Sequence, residues 1–161
     1  MELWNGKQIT LGGPESSEQR RKRLIEAHGP VIGAAIDNAI AKRNDLAGNA
    51  GIFNPMQAHH IIPVGLLTRS IRLQMLVVSG WDYNAAINAA ALAAGFHGSH
   101  PSYSAYVLQQ ISVWDATHAD APIADFETWV KETLIPKVLI PQIEMAKASG
   151  KTLNDYFATL I

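Results

Sequence analysis

The stretch Gln57-Ala58-His59-His60-Ile61-Ile62-Pro63 places an adjacent histidine pair ahead of two β-branched residues and a proline. β-Branched residues favour extended backbone and proline ends a ladder, so the segment predicts a short strand, enough for one hairpin. Successive side chains on a strand point to opposite faces, so His59 and His60 cannot serve one point in space in the same way. Such a pair lets one imidazole hold a metal ion while the other, slightly displaced, handles a proton.

Four of the six histidines fall in this part of the chain, the second two being His97 and His100 around Gly98-Ser99. Pro101 follows at once and fits the first turn of a helix, so both rings stand at a helix start and can turn towards a common ion. Three imidazoles leave coordination positions open for water and substrate, as a catalytic site requires. Between residues 57 and 107 the only carboxylate is Asp82. A site built here is therefore rich in nitrogen, which favours zinc, nickel or another transition ion. Magnesium would need water and substrate phosphate to complete its shell. His28 and His118 lie in helical contexts and read as surface or helix-end residues.

Outward from this centre the pattern is mostly helical. Ser16 or Ser17 can cap a helix carrying Gln19–Ala27, after a turn at Gly12-Gly13-Pro14. Ile32, Ile36 and Ile40 mark a second helix closing near Gly48, and residues 48–56 read as a loop. Leu67, Ile71, Met75 and Val78 suggest a helix over about 64–79. Residues 81–92 are open to two readings, since alanines favour helix while Trp81-Asp82-Tyr83-Asn84 favours a turn or strand. Tyr103, Val107, Ile111 and Trp114 form the stripe of the helix begun by Pro101. A long apolar helical region spans 123–148, interrupted or kinked at Pro136 and Pro141, and Lys151–Ile161 can form a last short helix. The expected class is α+β, predominantly helical, as one domain over residues 1–161. Its central element lies at about 57–107, with helical extensions at 15–48 and 123–161.

The composition fits that reading and excludes others. The chain has 161 residues, 48% of them apolar, enough for a continuous core and against disorder in the bulk of it. Zero cysteines exclude disulfides, thiolate metal sites and a cysteine nucleophile. The apolar runs are too short to cross a bilayer, and Met1–Trp4 runs into polar residues unlike a signal peptide. Net charge is only -1, so total charge makes no case for a nucleic-acid binder. The distribution is uneven: residues 1–72 hold nine Lys/Arg against six Asp/Glu, and residues 73–161 hold four against eight. A polyanion is expected to approach the N-terminal side. Arg20-Arg21-Lys22-Arg23 is the densest positive run; it can track a nucleic-acid backbone or simply be solvated surface. Arg69 and Arg72 follow the histidine doublet and can contact phosphate, or equally form a solvated helix face. Trp81 and Tyr103 fit either base stacking or the core.

Ala58-His59-His60-Ile61-Ile62-Pro63, then Asn88 and Leu92, then His97-Gly98-Ser99-His100-Pro101-Ser102-Tyr103, resembles the AHH branch of the HNH, or His-Me finger, nucleases. The resemblance implies a small ββα-metal finger embedded among helices, one divalent ion (Mg, Mn, Ni or Zn) and phosphodiester cleavage. By the same resemblance, His59 is the first metal ligand and His60 the general base. His97 and His100 are further ligands, either of which can instead meet phosphate. Asn88 matches the middle Asn that holds the loop carrying the base. Asn84 competes for that slot four residues earlier, and Ala89 stands where the family often has glycine.

The resemblance further implies a bacterial toxin, with the chain delivered into the cytoplasm of a target cell and a cognate immunity protein as partner. The expected activity is a metal-dependent endonuclease acting on DNA. RNA is the alternative substrate, since attack by water needs no 2′-hydroxyl. A non-catalytic module with a structural ion is the alternative from another class, although a closed site needs a fourth ligand and none is obvious nearby.

Overall fold

The computed structural model describes residues 14–161, so the opening residues and most of the expected turn at Gly12-Gly13-Pro14 lie outside the described part. The chain is α+β and predominantly helical, with one two-stranded antiparallel sheet among the described residues. Helices α1 (Ser17–His28) and α2 (Pro30–Ala41) form a hairpin. Ser16 caps α1 in a reciprocal capping box with Gln19, which satisfies two N-terminal groups at once. The two helices meet closely at Gly33. A Cβ there would stand 2.5 Å from the Leu24 carbonyl oxygen, which only glycine avoids.

The second helix ends at Ala41, short of the end expected near Gly48. The chain turns at Lys42–Asn44 and restarts as α3 (Asp45–Ala50), which ends at Gly51 in the left-handed conformation. Strand β1 (Met56–His60) then pairs with β2 (Ala89–Ala93), with His59 opposite Ala90 and His60 opposite Ala89. The ambiguity over residues 81–92 thus resolves as a turn, a 3₁₀ segment at Ala86–Asn88 and the start of β2. Alanine is a weak strand former, yet small side chains opposite the histidines leave room for the imidazoles, and pairing with β1 overrides local preference.

Between the strands, the helix expected over about 64–79 is broken. Val64–Thr68 is a 3₁₀ turn, and α4 (Ile71–Val78) begins afresh with Ser70 accepting from the Leu73 amide. The break is stable because the Gln74 side chain donates to the Leu67 carbonyl, replacing a ladder bond.

After β2, α5 (Ala94–His97) leads into α6 (Pro101–Thr117), so the sheet is followed directly by a helix. The C-terminal region is α7 (Ile123–Trp129), α8 (Ile140–Ala148) and α9 (Leu153–Ala158). The expected interruption at Pro136 takes the form of a widened helix over Val130–Leu139, where the Ile140 amide reaches the Ile135 carbonyl. Lengthening the repeat by one residue accommodates a proline that has no amide proton and crowds the preceding turn.

One core joins these elements, from Leu24 and Ile36 through Ile61, Ile62 and Leu92 to Tyr103, Leu134 and Phe157. Among the described residues no helix is long and apolar enough to cross a membrane.

Candidate functional site

The histidines converge where β1 meets the start of α6. His59, on the buried face of β1, is 1% exposed and packs edge-on against Tyr103, 4.9 Å between ring centres. Tyr103 is fixed in turn by donating its hydroxyl to the Ile61 carbonyl. It is completely buried, so it belongs to the core and cannot stack on a base. His97 closes α5 and His100 caps α6, which brings both rings over His59 at 4.9 and 5.0 Å. One ring nitrogen from each of the three lies within 4.8 Å of the other two, the only such cluster among the described residues.

The three rings are set up as neutral nitrogen ligands. Burial, followed by the neighbouring charges of His100, His97 and His60, pushes the His59 pKa from 6.5 down to about 2. Burial also lowers His97 and His100. His97 Nδ1 stands 3.0 Å from Gln57 Oε1, and its Nε2 faces His59 Nδ1 at 3.1 Å. His59 Nε2 and His100 Nδ1 are buried without a hydrogen-bond partner. Buried polar atoms are normally satisfied, so two orphans in one cluster of neutral imidazoles fit a divalent ion as the missing partner. Three protein ligands would leave positions on such an ion open to water and substrate.

His60 is not part of that cluster but lines the same cleft as its three rings. Its Nε2 lies 2.7 Å from Asn84 Oδ1, while the Asn84 amide nitrogen donates to the Ala39 carbonyl at 3.1 Å. That second bond fixes which end of the amide faces His60. The ring accordingly carries its proton on Nε2 and keeps a free lone pair on Nδ1. Burial lowers the proton affinity of His60; the Asn84 contact opposes this and the charge of Arg43 adds to it. The outcome is a neutral imidazole at physiological pH.

The acceptor on His60 is therefore the side chain of Asn84. Asn88 does not touch the ring. It is completely buried and accepts from the Ile62 amide through Oδ1 at 2.8 Å. Its amide nitrogen donates to the Ile62 and Tyr83 carbonyls, and its own carbonyl receives the Ile61 amide. Asn88 thus clips together the chain leaving β1 and the chain entering β2, while Asn84 orients the imidazole. Asn84 entered the sequence reading only as a competitor for the slot of Asn88, and Gln57 did not stand out as a site residue. Gln57 could have been found from its place two residues before His59, on the same strand face.

The arginines sit elsewhere. Arg69 and Arg72 line a cavity of about 620 Å³ between α4 and α6, and this cavity shares no lining residue with the histidine cleft. Arg72 Nε meets Asp115 at 2.7 Å and its terminal nitrogens donate to the carbonyls of His118, Ala119 and Ala121. Its guanidinium also lies over Trp114. With its donors so engaged, Arg72 fastens the loop after α6 rather than presenting a hand to phosphate. The N-terminal basic run is also largely neutralised: Arg20 and Arg21 pair with Asp37, and Arg23 pairs with Glu15.

Comparison with known proteins agrees with this geometry. No curated protein and no solved structure matches the chain. A family model does match residues 40–123, just over half of the chain and the whole of the two strands, both histidine pairs and α6. By that match the chain belongs to AHH, a nuclease family of the HNH/ENDO VII superfamily, and is an endonuclease that hydrolyses phosphodiester bonds.

Proposed function

We propose that the substrate of this nuclease is DNA, cut by water that His60 activates, with His59, His97 and His100 holding one divalent ion. The observation carrying this reading is the division of labour within one dipeptide. His59 faces two other neutral imidazoles, whereas His60 faces an amide that leaves Nδ1 free.

The chemistry follows from the residue types. A phosphodiester resists attack because its oxygens repel a nucleophile and its alkoxide leaves poorly. A bound ion would supply Lewis-acid neutralisation of the phosphate and the departing oxygen. His60 Nδ1 takes a proton from water, and the proton already on Nε2 stays in its bond to Asn84, so the ring becomes an imidazolium steadied by Oδ1. Proton transfer of this kind contributes roughly 10²–10⁴-fold. With the other three imidazoles committed to the cluster, no second histidine nearby is free to act as the acid of a metal-independent ribonuclease. Attack by water requires no 2′-hydroxyl, which makes DNA a competent substrate.

Imidazole ligands support zinc, nickel or another transition ion over magnesium. The open three-ligand set supports catalysis over a purely structural ion. The role of an antibacterial toxin, delivered to the cytoplasm of a target bacterium and restrained by an immunity protein, rests on the likeness of the motif to toxin domains. The direct test is cleavage of plasmid DNA and of total RNA by the purified chain. It is run in EDTA and after adding Mg²⁺, Mn²⁺, Ni²⁺ or Zn²⁺, with His60→Ala as control. Metal-restored nicking of plasmid, absent in His60→Ala, is the expected result. Degradation of RNA with intact plasmid would assign the site to RNA.

A further inference from the structure

Beside the histidine cleft lies a second one, of about 430 Å³, between the turn after α2 and the segment that leads into β1. Its lining includes Arg43, Asn44, Phe53, Asn54 and Gln57, and no carboxylate. Ala58 of β1 lines both clefts, so the two adjoin across a single residue.

Three features of this neighbouring cleft call for a ligand. Phe53 is 72% exposed, an aromatic ring left in water at considerable cost in apolar surface. Arg43 is exposed, makes only a 3.3 Å bond to the Ile40 carbonyl, and has no ion-pair partner among the described residues. Asn44 and Asn54 add amide donors and acceptors at the rim. An exposed ring, an uncommitted cation and amides beside a phosphodiester site match the parts of a nucleotide: base, phosphate and polar edges.

We propose that this cleft is the subsite for a nucleotide flanking the scissile phosphate, with Phe53 stacking on its base and Arg43 contacting its phosphate. Stacking on a protein ring requires a base free of its neighbours, so the subsite favours a single-stranded or locally opened segment. The proposal rests on the scissile phosphate lying at His60.

The test is binding of a fluorescently labelled single-stranded oligodeoxynucleotide in EDTA, where no metal-dependent cleavage intervenes, followed by anisotropy. Phe53→Ala should weaken binding by about 10-fold, the scale of one lost base stack, and Phe53→Trp should restore it. An abasic site at one position of the oligonucleotide should weaken wild-type binding to the same degree and add nothing in Phe53→Ala. Arg43→Gln should flatten the slope of log Kd against log salt by about 0.7, the value for one phosphate contact on a single strand. Thermal melts of both variants should match wild type, since both side chains are exposed. Wild-type affinity in Phe53→Ala, or a loss that Trp does not rescue, would overturn the subsite. Failure of the catalytic reading looks different: cleavage would survive in His60→Ala while the effects at Phe53 persisted.

Discussion

His60 and Asn84 are joined by a 2.7 Å hydrogen bond that leaves the opposite edge of the imidazole as its only basic position. The bond spans two elements, because Asn84 is itself held by Ala39 at the end of α2. The helical extension thereby reaches to the strand pair and sets the tautomer of His60.

Removing that bond should impair chemistry without emptying the metal cluster. Asn84→Ala is expected to lower kcat by 10- to 100-fold, with metal affinity by calorimetry close to wild type. Asn84→Asp places a negative charge against the ring and raises its proton affinity, so the acid limb of the pH–rate profile should move upward. An unchanged profile in Asn84→Asp would remove the contact from the mechanism.

Asn88 should respond in the other way. Its side chain makes three buried hydrogen bonds, two of them to Ile62, and their loss leaves buried peptide groups unpaired. Asn88→Ala is expected to cost about 3 kcal/mol or more and to lower Tm by many degrees. Chemical denaturation measures this, and a loss below 1 kcal/mol would contradict the clip.

Arg72 separates a structural from a substrate role. Arg72→Ala should destabilise the fold by roughly 2–3 kcal/mol, because it frees three carbonyls and Asp115. Arg72→Lys should recover little of that, since one ammonium cannot span the same acceptors. A raised KM with an unaltered melting curve would instead place the residue on the substrate.

Stability should fall on the acid side. His59, His60, His97 and His100 all bind protons less readily in the folded chain than at the ordinary value of 6.5. The unfolded state therefore takes up more protons below about pH 6.5, and stability that is full above that value is lost as pH falls. For His59 the window extends down to about 2. Each fully shifted histidine contributes about 1.4 kcal/mol per pH unit within its window. Tm of the metal-free protein at pH 7.5, 6.5 and 5.5 checks the sign, and His59→Gln should flatten the dependence.

Much of the finger can be read directly from sequence because its signals are local. The residues around the histidine pair announce a strand, although it ends at His60 and leaves Ile61 and Ile62 beyond it; alternation parts His59 from His60, and Pro101 fixes the helix start beside His100. The bonds of Asn84 and Arg72 are long-range, spanning 45 residues to Ala39 and 43 to Asp115, and such pairings leave no periodic trace. Arg72 looked free because only the folded chain brings the carbonyls of His118, Ala119 and Ala121 to it. Alanine-rich β2 was ambiguous because its conformation is imposed by β1 rather than by its own composition. The length of α2 was overestimated because Ile32, Ile36 and Ile40 report the buried face of the helix but say nothing of where it ends.

The central claim is that His59 holds the ion and His60 moves the proton. Paired calorimetric metal titrations and plasmid-nicking rates at pH 7–8, for His59→Ala and His60→Ala, test it most directly. The account predicts that His60→Ala abolishes nicking and binds metal like wild type, whereas His59→Ala loses both. Loss of metal in His60→Ala with binding retained in His59→Ala would reverse the two roles, and nicking that survives in His60→Ala would contradict the mechanism.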